Sequence, residues 1–424
     1  MSNYTLKEKM IAKTLSRFPF LKSKIKILYS LINYFLYKKK YKILLNYDKV
    51  QEFNKVVNRT DDESFFGYYD KYPMNKSGWV ISNVTKYPTS SCVKKNSNIS
   101  IILTNIFTKE EIFVGDSNSY NWQQGCRAQW LSNDLIIYNV FDNIRKKFIS
   151  KVFSLNDMKI AKEYNLPVQD SFNNQFFLSL NYQRLYSLTN DYGYNNLPKL
   201  TSKELNDNYN DGIYYVDCKT GENRLLFSLK DVINCKYNSF FDQCAHSINH
   251  IMINPKGNSF IFIHRYYFKN KRFDRLLFSD FKSIKVLVDE KVVSHCCWLS
   301  DYQIIGYLRH NNSDKYFELD VNSISIKENL VISSLNVGDG HPTGNDDFII
   351  FDTYPNKSRI QTLYFNSRIE NVNYKLIEAF HGMKFIEDRR CDMHPRSKKN
   401  SKYIFFDSVF DSDKRQQYYI KVNK

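Results

Sequence analysis

Four of the eight histidines in this sequence stand near the start of related segments, at His250, His295, His341 and His394. Each segment combines a histidine with a polar turn and an apolar strand, as in HPTGNDDFIIFD and HPRSKKNSKYIFFD. Imidazole exchanges a proton near neutral pH, so several imidazoles at one repeated position are candidates for acid–base or ligand-binding chemistry. That chemistry requires a fold that brings the four segments together.

Arginine, amide and aromatic side chains accompany these histidines and the neighbouring segments. Arginine binds carboxylates in a bidentate manner, amides hydrogen-bond to hydroxyls, and aromatic rings stack on pyranose faces. Together they predict a binding site for a sugar that carries carboxylates, although each residue alone is also typical of a solvated surface. The predicted substrate-binding residues are Asn121, Trp122, Gln123, Gln124, Arg127, Asn181, Arg184, His295, Arg389 and Arg396.

The repeated segments predict an all-β fold. From Ser64 onward, apolar strands recur every ~8–12 residues between Asn, Asp, Gly or Ser turns, which is typical of sandwiches, barrels and propellers. A longer period of roughly 45–70 residues favours the propeller, because it matches one four-stranded blade. The count predicts seven blades, with residues near Val50 to Asn58 closing the ring. The predicted domains are a basic amphipathic helical extension (1–50) and a seven-bladed β-propeller (51–424).

A propeller places the four histidines together, because the first strand of every blade lines the central channel. They are predicted to form a ring of imidazoles at the channel mouth. Repeated histidines also hold strands together in propellers whose repeats carry a Trp-Asp dipeptide, and that structural role is the alternative. This sequence lacks the dipeptide, which favours a functional role. No two acidic residues occupy equivalent channel positions, which disfavours glycoside hydrolysis by paired carboxylates.

Composition favours some classes of function and disfavours others. The net charge of +17 indicates an anionic partner such as nucleic acid, phospholipid or acidic polysaccharide, or else a lysine-rich solvated surface. Lysines concentrate in the N-terminal helix rather than along one face of the predicted ring, which disfavours nucleic acid. The eight cysteines form no CxxC pair, so we expect reduced, buried thiols in the cytoplasm. The sequence has no glycine-rich nucleotide-sugar motif.

The N-terminal stretch 21–45 has apolar residues at helical spacing among seven lysines. Its uninterrupted apolar part, Ile27 to Tyr37, is shorter than the ~20 residues needed to span a bilayer, and a secretory cleavage site is missing. Two interpretations stay open. The helix lies on the anionic inner face of the cell membrane, or it packs on the propeller through its aromatic face. The first predicts a cytoplasmic, peripheral membrane protein.

Several motifs in order resemble a family of bacterial seven-bladed propellers, often found in surface-polysaccharide gene clusters and distantly similar to oligogalacturonate lyases. They are NWQQGCRAQW, LSLNYQRL, HSINHIMINPKGNSFIFIHR, VSHCCW, DGHP and RCDMHPR. The resemblance covers Ser64 to the C-terminus and implies a polysaccharide lyase. Lyases of this fold hold a divalent metal through a His-x-His pair preceded by Gln. Here Asp392 replaces one histidine and Arg389 replaces the Gln.

The resemblance implies a metal site and a set of catalytic residues. His341, Asp392 and His394 are the implied ligands of manganese or another divalent ion, although adjacent arginines oppose a cation. β-Elimination from a uronate needs a positive group that stabilises charge on the carboxylate, a base and an acid. The candidates are Arg265 and Arg390 for the charge, His250 or His264 for the base, and Tyr192 or Tyr194 for the acid.

A second class of function stays open beside the lyase. Without an export signal, and with a basic helix, the chain is also compatible with a membrane-associated glycan-assembly protein of capsule or O-antigen biosynthesis. Such a protein is a glycosyl transferase or a non-catalytic propeller that binds a lipid-linked glycan or scaffolds assembly enzymes. Its partner is then the lipid-linked glycan rather than a free acidic polysaccharide.

Overall fold

The computed structural model describes residues 19–59, 61–189, 191–269 and 271–423. The part of the predicted N-terminal extension that falls on residues 1–18 lies outside the described residues. Within the described chain, seven antiparallel sheets follow one another along the sequence and form a seven-bladed β-propeller. The predicted fold class is therefore confirmed.

The chain enters the propeller from its outside. Helix α1 (Pro19–Tyr37) is followed by two short strands, β1 (Ile43–Leu45) and β2 (Val50–Lys55), before the first blade begins. Blades one to three consist of β3 (Glu63–Phe65), β4 (Trp79–Thr85), β5 (Ile99–Asn105) and β6 (Glu111–Ser117); β7 (Gln129–Trp130), β8 (Leu135–Asp142), β9 (Lys147–Ser154) and β10 (Lys159–Tyr164); and β11 (Asp170–Phe172), β12 (Phe176–Ser179), β13 (Gly212–Asp217) and β14 (Asn223–Ser228).

Blades four and five again have four strands each. They are β15 (Ala245–Ile253), β16 (Phe260–Phe268), β17 (Lys271–Ser279) and β18 (Ile284–Val288); and β19 (Val293–Trp298), β20 (Gln303–His310), β21 (Ser313–Asp320) and β22 (Ser325–Glu328). Blades six and seven contain β23 (Thr343–Gly344), β24 (Phe348–Asp352), β25 (Ile360–Ser367) and β26 (Val372–Phe380); and β27 (Tyr403–Ser408) and β28 (Gln416–Val422).

Short helices occur only in connections between strands of the described chain. They are α2 (Tyr182–Leu188), α3 (Ser202–Leu205), α4 (Leu229–Asn234) and α5 (Leu330–Ser333), with 3-10 turns at Ser239–Gln243 and Glu387–Arg389.

The two N-terminal strands pair with the outer strands of the last two blades. Strand β2 pairs antiparallel with β28, with Val50 opposite Val422 and Lys55 opposite Tyr418, so blade seven is closed by the segment that the sequence predicts. Strand β1 pairs with β26 and adds a fifth strand to blade six. This second pairing was not predicted, because three residues carry too little pattern to identify a strand.

The blades are apolar on both faces because each one packs between two neighbours. Every residue of β24, sequence FIIFD, is buried, which explains an apolar run without the alternation of a half-exposed strand. Phe351 of this strand contacts Tyr316 of blade five, with ring centroids 5.6 Å apart. The core is therefore a series of interfaces between adjacent blades.

Polar side chains near the ends of second strands hold neighbouring blades together at the centre. Asn139 of β8 accepts from the Val168 amide (2.6 Å) and donates to its carbonyl (2.9 Å), just ahead of blade three. The Asp407 carboxylate of β27 accepts from the amide of Gly67, which follows β3 of blade one. Asp352 of β24 accepts from the amide of His394, which precedes β27 (2.9 Å). These contacts fix the innermost backbone of the ring.

Helix α1 lies beside the outer edge of blade six. Its Tyr34 ring is 5.6 Å from Phe380 at the end of β26, and Asn33 is buried on the same side. This contact agrees with the interpretation that the helix packs on the propeller, but most of its large apolar side chains are exposed. None of the helices in the described part of the chain is both long enough and apolar enough to cross a membrane.

Candidate functional site

The four repeated histidines meet at the centre of the propeller. The ring centroids of His295 and His341 are 4.0 Å apart, those of His341 and His394 are 4.2 Å apart, and His250 lies 6.1 Å from His295. All four side chains are buried. The repeat therefore places these residues at one position, as the sequence predicts, and we call them the histidine ring.

Two tyrosines of blade one fill the middle of the histidine ring. Tyr68 stacks on His250 at 5.1 Å and contacts His394 at 5.0 Å, while Tyr69 lies 5.5 Å from His341. Neither was identified as a site residue from the sequence. The sequence did carry a signal for these tyrosines, because the GYYD motif of blade one occupies the repeat position at which later blades have a histidine.

The backbone is strained at two members of the ring. His250 and His394 have φ angles of 52° and 46°, in the left-handed region that residues with a Cβ rarely occupy. His394 is held in this conformation by hydrogen bonds from its backbone amide to Asp352 (2.9 Å) and between its Nδ1 and the Gly67 carbonyl (2.7 Å). Such strain persists only where surrounding contacts impose it, and it clusters at functional sites.

His341, Asp392 and His394 are arranged as a possible metal triad. Their ligand atoms all lie within 4.8 Å of one another, and Oδ2 of Asp392 is 4.0 Å from Nε2 of each histidine. Two nitrogens and one carboxylate oxygen suit manganese and related divalent ions. No ion is part of this structure, so the donor atoms themselves must show whether one fits.

The hydrogen bonds of the two histidines leave Nε2 available for a cation. Nδ1 of His341 lies 2.8 and 3.0 Å from the two oxygens of Asp352, and Nδ1 of His394 is bonded to the Gly67 carbonyl. Both contacts use a proton on Nδ1, so the lone pair of each histidine in its neutral form is on Nε2. Nε2 of His394 is buried and has no hydrogen-bond partner among the described residues. The triad therefore fits a divalent cation.

Asp352 is the residue that sequence reasoning missed most completely. Besides His341 Nδ1, its carboxylate accepts from the backbone amides of His341 (2.7 Å) and His394 (2.9 Å). Burial would lower the pKa of His341, but the Asp352 carboxylate outweighs it and raises that pKa above its ordinary value. One carboxylate therefore fixes the position of both histidines of the triad.

Arg390 competes with a cation for Asp392. Its Nε and Nη2 donate to the two carboxylate oxygens at 2.5 and 2.7 Å, and its guanidinium lies over the Tyr354 ring at 4.7 Å. Burial alone would raise the pKa of Asp392, but Arg390 and the two adjacent imidazoles hold it well below its usual range. Asp392 is therefore ionised, as a metal ligand must be, and is already neutralised by one arginine.

A second group of polar residues lies on the other side of the ring. Tyr192 is 4.8 Å from His250, and the Arg265 guanidinium lies 5.4 Å above the Tyr192 ring. Arg265 Nε donates to Asp274 at 2.9 Å, but its Nη1 is buried and has no hydrogen-bond partner among the described residues. Burial and the Arg265 charge keep the pKa of His250 well below its ordinary value, so this imidazole is neutral.

His264 and Tyr194 do not reach the histidine ring. Both nitrogens of His264 are used inside blade four, where Nε2 is 2.9 Å from His246 Nδ1 and Nδ1 accepts from Arg275 (2.9 Å). Tyr194 stacks on Tyr182 at 4.2 Å between blades two and three, and its hydroxyl accepts from Asn139. These positions correct the sequence-based assignment of a base and an acid to the two side chains.

Three predicted substrate-binding arginines are internal braces. Arg127 binds Asp70 through two nitrogens, at 3.0 and 2.7 Å. Arg184 binds Asp211 and donates to four backbone carbonyls, those of Leu205, His246, Glu204 and Asp207. Arg396 binds Asp407 at 2.9 and 2.8 Å and also the carbonyl of Gly67. Their donors are occupied inside the protein, so the structure removes them from the candidate sugar site.

The predicted amide and indole contacts are also mostly structural. Asn121 accepts from the amides of Gln123 and Gln124, and the Trp122 indole donates to the Ser91 carbonyl at 2.7 Å. Asn181 caps helix α2. None of these three side chains contacts the histidine ring in the described structure.

Three other predicted substrate-binding residues lie beside Arg390 or Tyr68. Gln123 donates to the Arg390 carbonyl at 2.7 Å and so supports the backbone of the arginine that pairs with Asp392. Half-buried Arg389 donates to the Ser90 carbonyl at 3.2 Å. Gln124 lines a small cavity with Tyr68, and neither polar atom of its buried amide has a hydrogen-bond partner among the described residues.

Comparison with known proteins identifies the fold. No protein-family model matches this chain, and no curated protein matches it in sequence. Among solved structures, an oligogalacturonate lyase in complex with manganese has a TM-score of 0.58 at 12% identity, covering 91% of this chain and 98% of its own. An oligogalacturonate lyase from Vibrio parahaemolyticus gives 0.57 at 12% identity, covering 91% and 99%.

A third match comes from a different class of protein. The β-propeller domain of the Trilobed protease from Pyrococcus furiosus has a TM-score of 0.46 at 10% identity, covering 85% of this chain and 96% of its own. At such identities the matches share an architecture rather than a function. The two lyase structures show that this chain has the propeller fold that oligogalacturonate lyases also have.

Proposed function

We propose that the histidine ring binds a divalent cation and an acidic sugar, and that the protein cleaves a uronate-containing polysaccharide by β-elimination. One observation carries the proposal. Three ring residues or neighbours, His394, His250 and Arg265, each hold a buried polar side-chain atom that has no hydrogen-bond partner among the described residues. Leaving such atoms unpaired costs about 1–3 kcal/mol each, so a ligand that pairs with them binds favourably.

The cation is proposed to bind His341, Asp392 and His394. When bound there, it supplies Lewis-acid stabilisation of negative charge on a substrate oxygen. The oligogalacturonate lyase that shares this fold was solved in complex with manganese, which supports manganese as the first ion to test. The second lyase, from Vibrio parahaemolyticus, likewise spans nearly the whole of this chain and supports the same substrate class.

Arg265 is the better placed of the two candidate arginines for the substrate carboxylate. Arg390 already donates twice to Asp392, whereas Arg265 Nη1 is unpaired among the described residues. A guanidinium on the carboxylate stabilises the enolate-like charge that develops when the adjacent carbon loses its proton. Electrostatic stabilisation of this kind contributes the largest part of many enzymatic rate enhancements.

His250 is proposed as the base and Tyr192 as the acid. Tyr68 Oη lies 3.3 Å from Nε2 of His250. If Nε2 carries the proton and donates it to Tyr68, Nδ1 has the free lone pair that a base needs. The carbon–hydrogen bond breaks towards Nδ1, a carbon–carbon double bond forms, and the bond to the leaving glycosidic oxygen breaks. Burial raises the pKa of Tyr192, so its hydroxyl keeps a proton to donate to that oxygen.

The direct test is an activity assay on a panel of uronate polysaccharides. β-Elimination gives an unsaturated product that absorbs near ~232 nm, and we expect this signal to depend on added manganese. His394→Ala should lose manganese binding and the absorbance signal, with a melting temperature within a few degrees of the wild type. His310→Ala is the matched control, since His310 lies outside the ring on the exposed side of blade five and pairs with Glu290 at 3.2 Å.

A second candidate function is favoured by the Arg390–Asp392 pair. This pair neutralises the triad without a metal, which suits a ring that binds an acidic or lipid-linked glycan during glycan assembly and does not cleave it. Two results together would replace the lyase proposal with this one. The absorbance signal would be absent across the panel, and the protein would retain the glycan in a way that Arg390→Gln abolishes and manganese does not alter.

A further inference from the structure

Helix α1 presents large apolar side chains to the solvent, while its polar Asn33 is buried. Phe35, Leu36 and Leu28 are 71%, 70% and 58% exposed, whereas Asn33 is 8% exposed. An ordinary surface helix has the opposite arrangement, because burial of the apolar face against the core stabilises it. The exposed apolar face consists of Ile25, Leu28, Leu31, Ile32, Phe35 and Leu36.

The spacing of these residues makes them one continuous face. Positions 28, 31, 32, 35 and 36 follow the i, i+3, i+4, i+7 and i+8 pattern of a single helical side. The opposite side contains the buried Asn33 and contacts the propeller through Tyr34, which packs against Phe380. The packing of the helix against the propeller therefore directs the apolar face towards the solvent.

The sequence segment that contains this face carries only positive charge. The sequence from residue 9 to residue 47 contains ten lysines and arginines and no aspartate or glutamate, in a chain whose net charge is +17. Lys38, Lys39 and Lys40, directly after the helix, are all exposed. An apolar stripe flanked by lysines is complementary to a surface that has acyl chains below and phosphate groups above.

We propose that helix α1 docks this protein on an anionic phospholipid bilayer, lying in the plane of the membrane with its apolar face inserted between headgroups. The inference is independent of the chemistry of the histidine ring. The helix docks without crossing the bilayer, since it does not combine the length and the apolar character that crossing requires. The lysines of residues 38–40 then contact the phosphate groups.

The test is flotation of the full-length protein with vesicles. We expect binding to phosphatidylglycerol-containing vesicles, little binding to pure phosphatidylcholine, and weaker binding at high salt. Leu28→Glu with Phe35→Glu should abolish binding without loss of melting temperature, because both side chains are exposed. The matched control is Ile144→Glu with Ile369→Glu, at apolar residues that are 93% and 80% exposed on blade hairpins.

The charge contribution is tested separately. Changing Lys38, Lys39 and Lys40 to Gln should weaken partitioning by roughly fivefold per lysine, or on the order of 100-fold in total. The control removes three exposed lysines elsewhere, namely Lys146, Lys219 and Lys256. Equal losses in both triple variants would show that net charge alone matters and would overturn the proposal. Absence of flotation would also overturn it, as would a concentration-dependent dimer that the Leu28/Phe35 variant abolishes.

Discussion

Asp352→Asn is the substitution that best separates the structural and chemical roles of the histidine ring. The carboxylate accepts from the amides of His341 and His394 at 2.7 and 2.9 Å, and both its oxygens contact His341 Nδ1. Asparagine keeps one acceptor oxygen, but its amide nitrogen is a donor that faces other donors. The variant therefore loses about two hydrogen bonds to a charged group.

The expected loss of stability follows from those bonds. At about 1.5–3 kcal/mol each, two bonds to a charged group contribute roughly 3–6 kcal/mol. With an unfolding entropy of about 2.1 cal/mol/K per residue, a chain of this length should then melt roughly 3–7 °C lower. Differential scanning calorimetry without added metal measures this change. Asn139→Ala is the control, because Asn139 joins blades two and three and does not contact the ring.

The same variant has a second expected effect, on metal binding. A carboxylate that orients a ligating histidine contributes about 10–100-fold to metal affinity, so Asp352→Asn should weaken manganese binding by that factor in isothermal titration calorimetry. Asn139→Ala should lower the melting temperature without changing the affinity. An Asp352→Asn protein that melts lower but binds manganese as the wild type does would refute the positioning role. An unchanged melting temperature would refute the structural argument.

Two further predictions concern stability. Burial lowers the pKa of His246 to about 4, so between about pH 6.5 and pH 4 the unfolded chain binds a proton that the folded protein does not. The free energy of unfolding should therefore fall as the pH falls through this window, and His246→Gln should reduce the slope measured by urea denaturation. Phe53→Ala in β2, which removes a ring stacked on Tyr418 at 5.3 Å, should destabilise the closed ring by about 2–4 kcal/mol. Glu52→Ala, which breaks only a partly exposed ion pair, should cost less than about 1 kcal/mol, and equal urea midpoints for the two variants would contradict this account of closure.

The fold was predictable because each blade repeats the same local requirements. Every repeat needs a polar turn and an apolar strand that is buried on both faces. Their recurrence at a regular interval is visible in a single sequence. Closure by β2 was predictable for the same reason, since the last blade lacks an outer strand of its own. Strand β1 was not, because its three residues pair with β26 only after both have been placed by the rest of the fold.

The candidate site was predictable in position but not in detail. The register of the histidines predicts where they meet, and the structure places them there. Composition does not show whether a buried polar group is already paired. Arg184, for example, binds Asp211 and four carbonyls that lie 20 to 62 residues away in sequence. Asp352 was not identified, because an aspartate at the end of a strand is ordinarily part of a solvated turn rather than a buried, hydrogen-bonded group.

Asp392 links the two kinds of chemistry that the histidine ring offers. Its Oδ2 lies 4.0 Å from Nε2 of both His341 and His394, and it also accepts from Arg390 at 2.7 Å. A cation bound at the triad would therefore share one carboxylate with the Arg390 guanidinium, and the two positive charges would repel each other strongly in a buried site. Metal binding should weaken the Arg390–Asp392 pair and release an arginine whose side chain is 33% exposed to bind a carboxylate from the solvent. If a cation and an acidic sugar bind as proposed, Arg390 would join Arg265 on the substrate and couple the two binding events, with each favouring the other.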